Sequence, residues 1–307
     1  MTTQSHSSFV SLLWKGLLAG MLYVLGTALT GMLFSALHIP MANFLPPGAD
    51  ANIGGRLFLL VSPLLGLFLA PLTLHTAGSR LLRSLVVFFL MFISLGVTAV
   101  LEMRIFLTVF AHGGALAAVL MVIPPSLLCA FALSFLLAQD QPEVSAAEKF
   151  HSFFAAHSPL SWAARFVLAV LAFAVLYFAF GMIVAPYVVP FYRAGVLGLT
   201  LPPFSAILPV LFTRSILFLA ASLPFLVLWT RSRLSLILSL GLAFWFLNGL
   251  FGLLQAFFWP PVMRIAHSLE IGGHSFAYAA ALVFLLTPRL RENPVSTQTH
   301  AATVFPS

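Results

Sequence analysis

Eight separate stretches of this chain run for about 20 residues with almost no charge, which leaves few folds open. They are Gly16 to Leu37, Leu57 to His75, Ser84 to Leu101, Gly113 to Leu137, Trp162 to Val184, Phe204 to Trp229, Leu234 to Phe258, and a last one ending at Thr287. One crossing of the hydrocarbon takes about 20 apolar residues. Lipid offers backbone N–H and C=O groups no partners, so helices are the economical way across. The expected fold class is therefore all-α, a polytopic transmembrane helical bundle of about eight spans.

Composition agrees: 61% of residues are apolar and 7% charged, against roughly 25% charged in an ordinary soluble domain. The 14 Lys and Arg outnumber the 7 Asp and Glu, a balance that elsewhere would suggest nucleic acid. Here most cations flank apolar runs and read as topology signals, so the expected partner is the lipid bilayer and not nucleic acid. A small polar or lipid-like ligand is compatible with such a chain. The single cysteine, Cys129, sits inside a span and cannot form a disulfide or a cysteine metal cluster within one chain. The first run is longer than a signal-peptide core and no small-residue cleavage site follows it closely, so it reads as an uncleaved helix.

Lys and Arg near span ends stay cytoplasmic. Starting inside puts Lys15, Arg80, Arg83, Lys149, Arg165, Arg231, Arg233, Arg289 and Arg291 on that side, nine cations against four outside (Arg56, Arg104, Arg193, Arg264). We expect both termini to be cytoplasmic, in a bacterial cytoplasmic membrane. The chain divides into a four-span half (1–138), a linker (139–161), a second four-span half (162–288) and a polar tail (289–307) expected to be disordered. In the linker Phe150, Phe153, Phe154 and His157 fall at helical spacing and predict a short amphipathic helix on the inner surface.

Several short strings recur at an offset of 150: Gly31-Met32 as Gly181-Met182, Pro40 as Pro190, 67–70 as 217–220, and Arg83 as Arg233. Met103-Arg104-Ile105 recurs as Met263-Arg264-Ile265 at 160, and Gly113-Gly114 as Gly272-Gly273 at 159. A duplication of four spans would give parallel halves related by a two-fold axis along the membrane normal. Chance matches between Leu-, Phe- and Ala-rich runs are the alternative.

Gly16 and Gly20 form a GxxxG spacing, continued by Thr27, Gly31 and Ser35, which suits close packing of the first span within the chain. Pro124-Pro125 near the middle of the fourth span removes backbone donors and should kink or break that helix.

Ionisable groups inside a membrane cost roughly 2.5 to 3.5 kcal/mol each and are the candidates for function. Glu102 falls near the outer edge of the hydrocarbon with Arg104 just beyond it, and Arg214 lies in the outer half of its span. The last span has only 13 residues from Ser275 to Thr287, so it must begin near Ser268 and draw Glu270, Gly272, Gly273 and His274 into the membrane. At about 100 degrees per residue Arg264, His267, Glu270 and His274 share one helical face.

Three uses fit that face. Pro260-Pro261 could start a short interfacial helix ended by Gly272-Gly273, with the polar face toward water. Alternatively Glu102, Arg104, Arg214, Arg264 and Glu270 line a substrate-binding cavity opening outward, as in a transporter. A third use has His267, Glu270 and His274, with His112 or His38, holding Zn²⁺ in a membrane-embedded metal-dependent hydrolase, although the spacing is no standard zinc signature. A structural subunit of a membrane complex is a further alternative. No P-loop or GxSxG elbow is present.

Overall fold

A computed structural model describes residues 9–40, 45, 49–108, 114–137 and 145–288. The expectations for His112, for Gly113 and for the polar tail lie outside them. Eight of its helices are long and apolar enough to cross a membrane. They are α1 (Phe9–Ala36), α2 (Ala51–His75), α3 (Arg80–Phe106), α4 (Ala115–Leu136), α6 (Pro159–Arg193), α7 (Phe204–Leu228), α8 (Arg233–Gln255) and α9 (Pro261–Leu286). A short helix α5 (Ala146–Ala155) precedes α6. The end of the bundle where α1 starts is called proximal below, the other end distal.

Serine hydroxyls start four helices, at the proximal end. Ser79, Ser145, Ser158 and Ser232 each accept from the backbone N–H three residues on, satisfying one orphan donor of a first turn. Inside the spans, hydroxyls such as those of Thr30, Thr73, Thr98, Ser215 and Ser222 donate to the carbonyl four residues back. Those hydroxyls are thereby paired within their own helix, whereas those of Ser62, Ser94, Ser126 and Ser134 are buried without a partner among the described residues.

The spacing of small residues in the first span serves packing within the chain. A side chain at Gly20 would run into the Pro63 backbone, and one at Gly66 into the Gly16 carbonyl, so α1 and α2 lie backbone to backbone. Farther along α1, Gly26 meets Pro125 of α4. The proline pair does interrupt α4: one helical segment ends at Met121, and the next begins at Ile123 with prolines in its first turn.

Helix neighbours recur in a regular way. α1 packs on α2 and α4, and α6 packs on α7 and α9; α3 packs on α4 and α7, and α8 on α9 and α2. Both α3 and α8 widen to a π-helical section, at Phe92–Thr98 and Phe246–Leu250, and these two sections touch. At the proximal end the α2–α3 and α7–α8 turns pair in antiparallel fashion: Ala77 N–H donates to the Leu228 carbonyl (2.8 Å), and Thr230 N–H to that of His75 (3.0 Å). The core between these helices is made of fully buried Leu65, Leu69, Leu90, Met91, Leu133, Phe225 and Phe246, with Phe68 stacked on Phe246 at 4.1 Å.

Helix α5 forms where the aromatic spacing in the linker placed it. Its Phe153 is buried against Trp162 of α6, ring centroids 4.9 Å apart.

Two expectations about the distal end are corrected. The fifth span does not stop near Val184; α6 continues through Pro186 and Pro190 to Arg193, 35 residues in all, because each proline costs one bond and nothing else in that stretch breaks a helix. Nor do Gly272 and Gly273 end a short interfacial helix: α9 is continuous from Pro261 to Leu286. A side chain at Gly272 would press on the Trp245 ring of α8, and one at Gly273 on the Phe180 ring of α6. The two glycines let bulky aromatic residues from both flanking helices reach the α9 backbone.

Two repeat matches also move. Arg233 opens α8 directly after its capping Ser232, and the residue in that place on α3 is Arg80 after Ser79, not Arg83. Met103-Arg104-Ile105 ends α3, whereas Met263-Arg264-Ile265 begins α9, so the two strings do not occupy equivalent places.

Candidate functional site

The distal halves of α3, α6, α7 and α9 bring most of the membrane-embedded ionisable groups together. At 1.5 Å per residue from the distal end of each helix, Glu102 lies roughly 6 Å in, Arg214 roughly 15 Å, Glu270 roughly 14 Å and His274 roughly 20 Å. Arg214 of α7 donates through Nη1 to Glu102 Oε1 of α3 at 2.6 Å. The Arg214 side chain is 8% exposed and that of Glu102 32%, so the carboxylate marks the open end of the pair and the guanidinium the closed end.

Around the closed end the walls are aromatic. The guanidinium carbon sits 6.0 Å from the ring centres of Phe173 and Tyr177 on α6 and 5.8 Å from that of Phe218 on its own helix. Such faces attract a cation through the ring quadrupole. His274 of α9 joins the same box, edge-on to Phe173 at 4.6 Å and parallel to Tyr278 at 6.1 Å. Arg214 Nε, His274 Nε2 and the Tyr278 hydroxyl are buried without a hydrogen-bond partner. Buried polar atoms are ordinarily paired, so three of them in one box is a chemically demanding arrangement.

A second polar group adjoins the first nearer the distal surface. His267 Nδ1 lies 2.8 Å from Glu270 Oε2 one turn away on α9, and its Nε2 lies 3.3 Å from the Tyr192 hydroxyl of α6. Gly181 of α6 makes room for the Glu270 carboxylate, which would lie in van der Waals contact, 3.4 Å from a Cβ there. Tyr177 sits within electrostatic reach of Glu102, Arg214 and Glu270 together, and so links the two groups.

Of the candidate residues, then, Glu102 and Arg214 meet directly, and Glu270, His267 and His274 lie beside them. Arg104 is exposed and makes no ion pair among the described residues. Arg264 is half-buried with Nε unpartnered and makes no ion pair among the described residues. The zinc set is not formed: among the described residues no three of His, Cys, Asp and Glu come together as a metal site. His267 and Glu270 engage each other, while His274, on the same face but deeper, is turned into the aromatic box. His38 ends α1 in a left-handed backbone conformation, φ 54°.

Sequence reasoning missed the walls. Phe173, Tyr177, Tyr192, Phe218 and Tyr278 look like ordinary membrane aromatics in the sequence. A signal was there, since the chain has only 5 tyrosines and Tyr177 and Tyr278 fall deep inside spans, where a hydroxyl needs a partner. Asn248 and Gln255, the amide residues within α8, each donate to the carbonyl four residues back.

Among known proteins, no family model, no curated protein and no solved structure matches the chain.

Proposed function

We propose that the chain is a transport or binding protein that takes up a small solute bearing a negative group at Arg214, in the distal half of the bundle. The observation that carries this is the Arg214 environment. A guanidinium has five N–H donors in a fixed fork that suits a carboxylate or phosphate. Here one donor is given to Glu102, Nε has no acceptor, and the walls are rings. Glu102 already balances the charge, so what is open to a solute is the rest of the fork, whose Nε is buried with no acceptor.

The same reading places the site between two four-helix halves, 1–138 and 162–288, joined by the 139–161 linker. The matched neighbours of α1–α4 and α6–α9 and the touching π-helical sections of α3 and α8 support it. Because Glu102 belongs to the first half and Arg214 to the second, their ion pair bridges the halves. The excess of Lys and Arg at the proximal end supports cytoplasmic termini, which makes the distal site face outward.

Benzoate, a monoanion with a flat apolar body, is a suitable probe. Vesicles containing the protein should accumulate labelled benzoate at least about tenfold faster with the native chain than with Arg214→Gln, the loss expected for a buried charge-assisted contact worth about 1.5 to 3 kcal/mol. Equal uptake by both would sink the proposal.

A further inference from the structure

Resting on that reading, we propose that the solute enters together with one proton, which goes to Glu102. The reason is charge conservation in a low-dielectric site. Arg214 and Glu102 form a neutral pair, Nη1 to Oε1 2.6 Å. A second anion brought to the same guanidinium would leave two negative charges on one positive charge, within a few ångströms and behind aromatic walls. At an effective dielectric constant of about 20 two like charges 4 Å apart repel by about 4 kcal/mol, enough to exclude the anion at ordinary concentrations. Protonation removes that repulsion: the Glu102 carboxylate takes a proton from the distal solution, releases Arg214, and the solute carboxylate takes its place. The site holds one positive and one negative charge before and after, and a proton and an anion have been added.

The geometry favours Glu102 as the acceptor of that proton. Its side chain is 32% exposed, whereas that of Glu270 is 14% exposed and already bonded to His267. Glu102 is thus the more open of the two carboxylates and the one nearer the distal end of its helix. The groups that face it are Arg214 from α7 and Tyr177 and Tyr192 from α6, with Glu270 of α9 behind those tyrosines and Arg104 on its own helix. The α4 segment packed against α3 there, Ala115–Met121, carries no ionisable residue. Arg214 is the one cation among these that Glu102 touches, so a proton on Glu102 is what frees that guanidinium for the solute.

The test is calorimetric titration of benzoate into the detergent-solubilised full chain, in two buffers of different ionisation heat and at two pH values one unit apart. The native protein should take up about one proton per benzoate bound and bind about tenfold more weakly at the higher pH. Glu102→Gln should bind at least as tightly as the native chain at the lower pH, take up no proton and lose the pH dependence. Arg214→Gln should not bind. Benzoate binding with no proton uptake would overturn the inference and leave the proposed function standing. Proton uptake persisting in Glu102→Gln would move the acceptor elsewhere and also overturn it. No binding of benzoate, acetate or phosphate to the native chain would remove both. If Glu102→Gln does not fold, Glu102→Met takes its place with the same expected loss of proton uptake, and absence of uptake by the native chain overturns the inference in either case.

Discussion

The first four spans and the last four share a pattern of helix neighbours but fill it with opposite materials. Between α1 and α2 the contact is glycine against backbone: Gly16 on Gly66, Gly20 on Pro63. At the corresponding offset of 150, α6 and α7 carry Phe166, Val170 and Ile216 in place of Gly16, Gly20 and Gly66. Ile216 is largely exposed, and α6 and α7 meet instead through rings, Phe173 on Phe218 at 5.3 Å, with Tyr177 and Arg214 beside them. In the first half the same level is occupied by Tyr23, ringed by Phe58 and Phe251 at 6.3 and 5.8 Å, and by buried Cys129, with Leu64 where the second half has Arg214. One group of helices is packed closely for rigidity. The other meets ring against ring around a buried guanidinium, and the glycines of the first pair have no counterpart there.

The comparison breaks most easily at Gly20. Gly20→Leu should cost about 3 kcal/mol or more, because the obstructing atoms are Pro63 backbone and cannot move aside. Val170→Leu, at the offset position on the ring-packed pair, should cost under about 1.5 kcal/mol. Denaturant titration in mixed micelles measures both, and equal costs would mean that the two helix pairs are packed alike.

Next in size is the ion pair that joins the two groups of helices. In a double-mutant cycle with Arg214→Met and Glu102→Gln, the stability coupling should fall at about 1 to 3 kcal/mol. It should sit toward the lower end, because Glu102 is about a third exposed and water screens it. A coupling near zero would show that the bridge is electrostatically idle.

The smallest effect sharpens the likeness of the halves instead. Ser79→Ala and Ser232→Ala each remove a cap from the first turn of a pseudo-equivalent helix, and each should cost about 1 kcal/mol. Unequal losses in thermal unfolding would separate the two positions.

The spans themselves were legible because crossing a membrane is a condition on length and polarity along one segment. That is why even the short last run, 13 residues to Thr287, pointed to a helix that recruits Glu270 and His274. Legibility failed where one residue's role depends on another helix. Gly272-Gly273 look like a helix terminator until Trp245 and Phe180 are seen leaning on them. His267, Glu270 and His274 look like a ligand set by spacing alone, but one turn of depth puts His274 into an aromatic box that the other two do not reach.

By itself, then, the sequence determined that this protein is an eight-span helical bundle, and it picked out the rare charges inside it. Hydrophobicity and the cost of unpaired backbone groups act locally and leave their mark residue by residue. Which charges meet was decided by tertiary structure alone. Glu102 and Arg214 lie on helices that are not consecutive in the chain, and their 2.6 Å contact depends on how closely α3 and α7 approach. That distance is set by the bulk of side chains on several helices at once, so no single stretch of the sequence records it.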